Sequence, residues 1–331
     1  MRQPAQQSVA SVILSVARSA KSKDPRIFLL GALLLALPFT ANAQKSSPVS
    51  GQTAYTLTQQ LLAVAPKRYN GSPGHAAAEK FIAGHFKAEA AKGNFEKDEF
   101  TVNTPAGPQT MRNFIVRYPG KRDGVIVLAS HYETNYPLRN IHFVGANDGA
   151  CTSALLIAIG EYLRKNPPQG YSVWLLFDDG EEAVQDWYYQ PYTDHTYGTR
   201  HLAAKWYSDG TDRRIKAFIV ADMIGDKDLN IDRVTNSTPW LLDALRTAAR
   251  NTGHSANVFR YSEDMQDDHQ PFAQRGVPVL DMIDAHYGPS TPDAPDGYHH
   301  TAEDTIDKIS PQSLQISADI LLELIRLINS R

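Results

Sequence analysis

Cysteine occurs once in the 331 residues, at Cys151, so no intramolecular disulfide can staple the chain. Set in the apolar run "ACTSALLIAIG", it reads as a packed core thiol rather than a nucleophile. A large excess of one charge is also missing. Lys and Arg number 33 against 36 Asp and Glu, a net charge of -3. Without a basic stripe or a nucleic-acid motif, nothing in the chain calls for a polyanionic partner. Internal repeats and low-complexity linkers are absent too, so nothing marks a boundary between domains. The apolar stretch "IFLLGALLLALPF" (27–39) is too short to span a bilayer.

What the chain does contain begins with that stretch. Arg2, Arg18, Lys21, Lys23 and Arg26 precede it and "TANA" follows, which is the pattern of a secretory leader over 1–43. Cleavage after Ala43 would expose Gln44, leaving residues 44–331 as one exported domain in the periplasm or outside the cell. Apolar residues at three-to-four spacing predict helices over 53–65, 74–93, 149–165, 198–208, 238–252 and 311–330. Apolar runs at 124–130, 171–177, 216–223 and 277–283 predict strands, with edge strands near 97–103 and 112–118. Such runs separated by helices imply an α/β domain: a central, mostly parallel mixed sheet flanked by helices on both faces. Segments 178–197 and 286–300 read as long loops, and long loops in compact domains tend to be functional.

Ligand sites in open α/β sheets lie beyond the carboxyl ends of the strands. His131 and Glu133 follow the first predicted core strand, Glu181 and Glu182 the second. Asp222 ends the third, and the last leads to His299 and His300. Asp148 precedes the helix predicted over 149–165. In "FDDGEEA" Asp178, Asp179, Glu181 and Glu182 crowd together where a buried strand should end. Like charges resist such burial unless something positive compensates them, and a bound metal cation would do so. Asp148, Glu182 and His300 form a three-ligand set of the kind that holds catalytic Zn²⁺ with one position open. The other carboxylate of the Glu-Glu pair is then free as a general acid/base. Taken singly, each of these residues is more simply a solvated loop acid, a helix-terminal aspartate or an ordinary loop histidine. Their joint occurrence at successive strand ends favours the metal, with zinc preferred although other transition metals suit the same donors.

"SHYET", "GANDGA", "FDDGEEA" and "HHT", in this order, resemble the zinc aminopeptidases of a metallopeptidase clan and their offshoot, the animal-type glutaminyl-peptide cyclotransferases. The likeness runs from "RYNGSPG" (68–74) to "HHTAEDTIDKIS" (299–310). Two stretches resemble the cyclotransferase branch in particular: "DGEEAVQDWYYQPYTDHTYGTRHLAAKW" (179–206) and "MQDDHQPFAQRGVPVLDMI" (265–283). The resemblance implies one zinc on Asp148, Glu182 and His300, and Glu181 as the proton-transfer residue. Asp222 and Asp267 would join Glu181 in an acidic hydrogen-bonded network, with Trp187 lining the substrate pocket. The chain departs from the animal enzymes at Asp281, where they have a histidine, and at His299, where they have a tryptophan. Its 285–298 segment is also longer, offering Tyr287 and Tyr298 as replacement aromatic walls.

These features predict cyclisation of N-terminal glutamine in peptides or proteins to pyroglutamate, with release of ammonia. The ligand set leaves open an exported aminopeptidase with two zincs, the second at His131 and Asp222. An inactive binding homologue would be marked by loss of a ligand or of the proton-transfer residue, and all are present. The expected partners are peptides with N-terminal glutamine. A monomer is expected, with no nucleic acid and no stable membrane partner.

Overall fold

The computed structural model describes residues 48–331, apart from 189, 190, 192 and 293. The leader expected over 1–43 lies outside the described residues. Strands β1 (Phe95–Thr104) and β2 (Gly107–Tyr118) form a hairpin, followed by β3 (Arg122–His131), β4 (Tyr171–Asp178), β5 (Ile215–Asp222) and, later, β8 (Val279–Ile283). They make one six-stranded sheet in the order β1-β2-β4-β3-β5-β8. β4, β3, β5 and β8 run parallel, while β2 pairs antiparallel with β4. The expected mixed, mainly parallel sheet is therefore present.

Two-residue alternation along the strands feeds both faces. Ile126, Leu128, Leu175, Phe177, Ile219 and Leu280 enter one apolar core. That core also receives Leu57 and Leu61 of α1 (Gly51–Val64), Leu155 and Ile159 of α4 (Thr152–Lys165), Leu245 of α6 (Pro239–Thr252), and Leu321 and Leu324 of α8 (Pro311–Asn329). Val125, Val127, Ala129, Leu176 and Phe218 face the other way, against Leu202 and Trp206 of α5 (Tyr197–Asp209). Burial on both faces is why these strands read as continuous apolar runs. Serine caps start three helices: Ser50, Ser72 and Ser310 accept N–H groups of Thr53, His75 and Ser313.

Some elements differ from expectation. The helix predicted over 74–93 divides at Phe86 into α2 (Pro73–His85) and the short α3 (Lys87–Ala90). The helix predicted from 149 becomes regular only at Thr152. Before it, Ala146–Cys151 is a distorted turn in which Asp148 (φ -78, ψ 95) and Gly149 (φ 82) leave helical geometry. A second, two-stranded sheet of β6 (Ile231–Val234) and β7 (Val258–Glu263) and a four-residue helix α7 (Gln270–Ala273) were not anticipated. Cys151 is buried, as expected. Among the described residues, no helix is long and apolar enough to cross a membrane.

β4 and β5 lie on opposite sides of β3, so the crossover from β3 runs one way to β4 and the next, from β4, returns past β3 to β5. That switch opens a crevice at the carboxyl ends, where His131, Asp178 and Asp222 are the last residues of their strands.

Candidate metal centre

The distorted turn aims Asp148 at the crevice. Gly149 must be glycine: its φ is +82, and a Cβ there would come within 2.8 Å of His131 Cε1. Buried Arg68 clamps the turn by donating to the carbonyls of Val144 (2.7 Å), Gly145 (2.9 Å) and Tyr132 (2.9 Å). From the other side Asp304 accepts the N–H groups of Asn147 at 2.8 Å and Asp148 at 3.2 Å. Glu181 and Glu182 follow Gly180, whose φ of +75 turns the chain sharply off β4. Backbone N–H groups of Thr196 and Tyr197 pin the Glu181 and Gly180 carbonyls at 2.7 and 2.6 Å.

These supports bring the predicted ligands together. His300 Nε2 lies 3.0 Å from Glu182 Oε1 and 3.5 Å from Asp148 Oδ2. A tetrahedral ion with ligand bonds of about 2.1 Å separates its donors by about 3.4 Å, so the spacing fits. Asp148 Oδ2 is buried with no hydrogen-bond partner, the condition of an oxygen awaiting a cation. His300 adopts φ 55, a left-handed conformation uncommon outside glycine and often found at functional sites. Glu182 is further oriented by Asn135, whose Nδ2 donates to Oε2 at 2.7 Å, and its own N–H donates to Glu133 Oε1 at 3.1 Å.

The neighbouring Glu carboxyl points elsewhere, as the sequence suggested. Glu181 Oε2 is 4.0 Å from His131 Nδ1. The other nitrogen, His131 Nε2, stands 3.1 Å from Asp148 Oδ1 and 3.3 Å from Asp222 Oδ1. Asp148 thus serves two donor sets, one through each oxygen. Burial, then the charges of Glu182, Asp267 and Asp268, push Glu181 well above the usual carboxylate range, although His131 opposes the shift. Asp267 is raised in the same way by burial and by Asp268 and Asp222; its Oδ2 has no hydrogen-bond partner. Burial disfavours a charged His300, yet Glu182 and Asp148 bring it up to about 9. Carboxylates held this densely in a buried crevice, offset by a few N–H donors, Arg68 and histidine protons, fit a divalent cation.

Asp281 is fully buried 3.4 Å from His269 Nδ1. Burial, followed by Asp267 and Asp222, raises its pKa well above normal. Trp187 is half-buried, its ring stacked on His195 at 4.2 Å and 9° and its Nε1 donating to Gln266 at 3.2 Å. The loop before it is gathered by Asp194, which accepts N–H groups of Val184, Gln185 and Asp186. His299 does reach the site: its ring lies 3.8 Å from that of His300, and its donor atom groups with those of Asp148 and His300.

Two expectations need correction. Tyr287 is fully buried and forms no exposed wall; its hydroxyl donates to Asp304 Oδ1 at 2.7 Å, behind Asp148. Tyr298 faces Tyr287 and Lys308 and borders a surface recess of about 540 Å³ shared with Asp226 and His286, not the donor set. Sequence reasoning left Arg68, Asn135, Asp194, His195 and Asp304 without roles. Arg68 acts on carbonyls 64 to 77 residues away, Asn135 on a carboxylate 47 away and Asp304 on N–H groups 156 and 157 away. Asp194 and His195 act through nearby backbone N–H groups and a ring stack, so no spacing reveals them.

The chain is similar to several known proteins. A solved glutaminyl cyclase from an Acidobacteriales bacterium is 68% identical, with a TM-score of 0.85 over 87% of this chain and 98% of its own. The glutaminyl-peptide cyclotransferase of Boiga dendrophila is 29% identical over 311 residues, covering 82% of this chain and 83% of that protein. A Zn-dependent exopeptidase from Parabacteroides distasonis, 20% identical, shares the fold at a TM-score of 0.74. The family model for peptidase family M28 matches residues 113–325. The chain belongs to peptidase family M28.

Proposed function

We infer that this protein is a glutaminyl-peptide cyclotransferase, closing N-terminal glutamine of peptides to pyroglutamate with release of ammonia. The observation that carries the reading is its 68% identity to a solved bacterial glutaminyl cyclase along nearly all of that chain. Asp148, Glu182 and His300 would hold one zinc, a choice supported by their convergence and by the unpartnered Asp148 oxygen. The bound ion would supply Lewis-acid polarisation of the glutamine side-chain carbonyl. His131 Nε2 stands 3.1 Å from Asp148 Oδ1 and 3.3 Å from Asp222 Oδ1, so these three residues are the donors a second ion would use in the aminopeptidase reading.

Glu181 carries the proton. As the α-amine bonds to the side-chain carbonyl carbon, its carboxylate takes a proton from that nitrogen. It returns the proton to the departing amide nitrogen as the old carbon–nitrogen bond breaks. The products are the lactam and ammonia, and Glu181 ends as it began. A carboxyl whose pKa burial and like charges raise is suited to both halves of this exchange. Asp267, beside Asp222, would accept from the leaving NH₂ and hold it in place. Trp187, braced by His195, would pack on the glutamine stem, and His299 would border the ligand side. Since both reacting groups belong to one residue, the pocket's main task is to fold that residue back on itself.

The enzyme is proposed to act as an exported monomer, released after removal of residues 1–43. The test is mass spectrometry of a glutamine-initiated peptide with and without chelator. Chelator-sensitive loss of ammonia, with the peptide otherwise intact, is expected. Release of the free N-terminal residue would replace this reading with an aminopeptidase.

A further inference from the structure

A second cluster of metal-type donors lies where β6, β7 and the loop after β8 meet. His286 Nδ1 stands 3.0 Å from Asp232 Oδ2 and 3.6 Å from Glu263 Oε1. All three donor atoms fall within 4.8 Å of one another. Asp232 is fully buried on β6, and Glu263 is the last residue of β7. The ring of Tyr261 stacks on His286 at 3.7 Å and 18°, fixing the imidazole plane.

A plain histidine–carboxylate ion pair accounts for Asp232 but not for its surroundings. Glu263 Oε1 is shielded from solvent and has no hydrogen-bond partner, in a side chain that is 39% exposed overall. Next to the cluster, Asp284 is 1% exposed; its Oδ2 accepts the Asn230 N–H at 2.8 Å, while Oδ1 has no hydrogen-bond partner. Shielded carboxylate oxygens without donors are costly unless a cation accompanies them. The His286 separations of 3.0 and 3.6 Å bracket the donor spacing of about 3.4 Å expected around a tetrahedral ion. His286 is exposed, so water can complete the coordination.

We propose that Asp232, Glu263 and His286 bind a second divalent ion of the zinc class, apart from the catalytic centre. Its role is structural. It fastens the start of the 286–300 loop to the small sheet, one residue before Tyr287 reaches Asp304 and fourteen before His300.

The test counts metal on the full chain. Zinc-loaded wild type, His286→Ala, Glu263→Gln and Glu182→Gln are gel-filtered through zinc-free buffer and analysed for metal per chain. The quantity read is the difference between proteins, so it holds whether the catalytic centre carries one ion or two. Both cluster variants should hold one equivalent fewer than wild type, and Glu182→Gln should keep the second-site ion. Cobalt added to Glu182→Gln should give visible bands of low-symmetry four-coordinate metal that His286→Ala abolishes in that background. Unchanged zinc content in both cluster variants would overturn the proposal. So would occupancy only at millimolar zinc, the mark of adventitious binding.

Discussion

Replacing Tyr287 with phenylalanine deletes one oxygen from a fully buried ring and opens almost no space. That oxygen donates to Asp304 Oδ1 at 2.7 Å, and the same carboxylate holds the Asn147 and Asp148 N–H groups at 2.8 and 3.2 Å. A hydrogen bond to a charged group contributes about 1.5–3 kcal/mol, so Tyr287→Phe should lose roughly 2 kcal/mol. That is a large share of a total stability on the order of 5–15 kcal/mol. The damage should also reach the metal, because Asp304 sets the backbone of a proposed ligand. Outer partners of ligands commonly matter by about 10–100-fold in metal affinity, and the lower end is expected here, since two backbone N–H groups still orient Asp304. Urea unfolding with chelator present gives the stability, and zinc competition against a chromophoric chelator gives the affinity. A variant as stable as wild type would refute the hydrogen-bond argument. Lower stability with unchanged zinc affinity would refute the link from Tyr287 through Asp304 to Asp148.

Glu181→Gln keeps size and polarity but cannot carry the proton; kcat for a glutamine-initiated peptide should fall about 10²–10⁴-fold while zinc content stays the same. Equal kcat would remove Glu181 from the proton path. Gly149→Ala forces a methyl group toward His131 and strains a φ of +82, so a loss of about 1–3 kcal/mol is expected by urea unfolding, with weaker zinc binding. No change would show that the turn can relax. Asp98, 7% exposed, predicts a pH effect far from the metal. Burial opposes its ionisation, but His201 at 3.3 Å and Lys205 at 2.8 Å outweigh this and lower it to about 2. Because the folded-state pKa is the lower one, the stabilisation is complete above about pH 4 and is lost as pH falls through about 2. It amounts to about 2–3 kcal/mol at about 1.4 kcal/mol per pKa unit. Asp98→Asn should be destabilised by that amount at neutral pH and should lose the corresponding slope between pH 4 and 2. An unchanged slope would place the acid sensitivity elsewhere.

Much of the fold was legible because parallel strands buried on both faces must be apolar throughout. "GVIVLAS", "YSVWLLF" and "KAFIVADM" therefore announced β3, β4 and β5 within a few residues. The residues just past such strands are forced into the crevice, which is why His131, Glu181, Glu182 and Asp222 could be collected without contact information. β6 and β7 escaped because "IDRV" and "VFRYSE" are short and carry charge, so neither pattern nor length separates them from loop. Tyr287 was misjudged for a related reason. An aromatic in a Pro- and Gly-rich loop reads as exposed, and its burial follows from Asp304, seventeen residues later, which no local pattern ties to it.

The start of α4 shows why a motif can be right in chemistry and wrong in local structure. Periodicity predicts a regular helix from 149, and in such a helix Asp148 would be a helix-start acid favoured by the dipole. Two long-range demands override that preference. Arg68 draws the carbonyls of Val144 and Gly145 to one side, and Asp304 draws the N–H groups of Asn147 and Asp148 to the other. Backbone groups committed in opposite directions cannot also complete a helical ladder, so the turn distorts. Gly145 and Gly149 take the positive φ values that the distortion requires. The helix then begins only at Thr152, and the carboxylate is left with one oxygen facing His300 and the other facing His131. "GANDGA" is thus informative through its two glycines as much as through its aspartate. They let a single residue face two donor sets, and which set carries metal decides between a one-ion cyclotransferase and a two-ion peptidase.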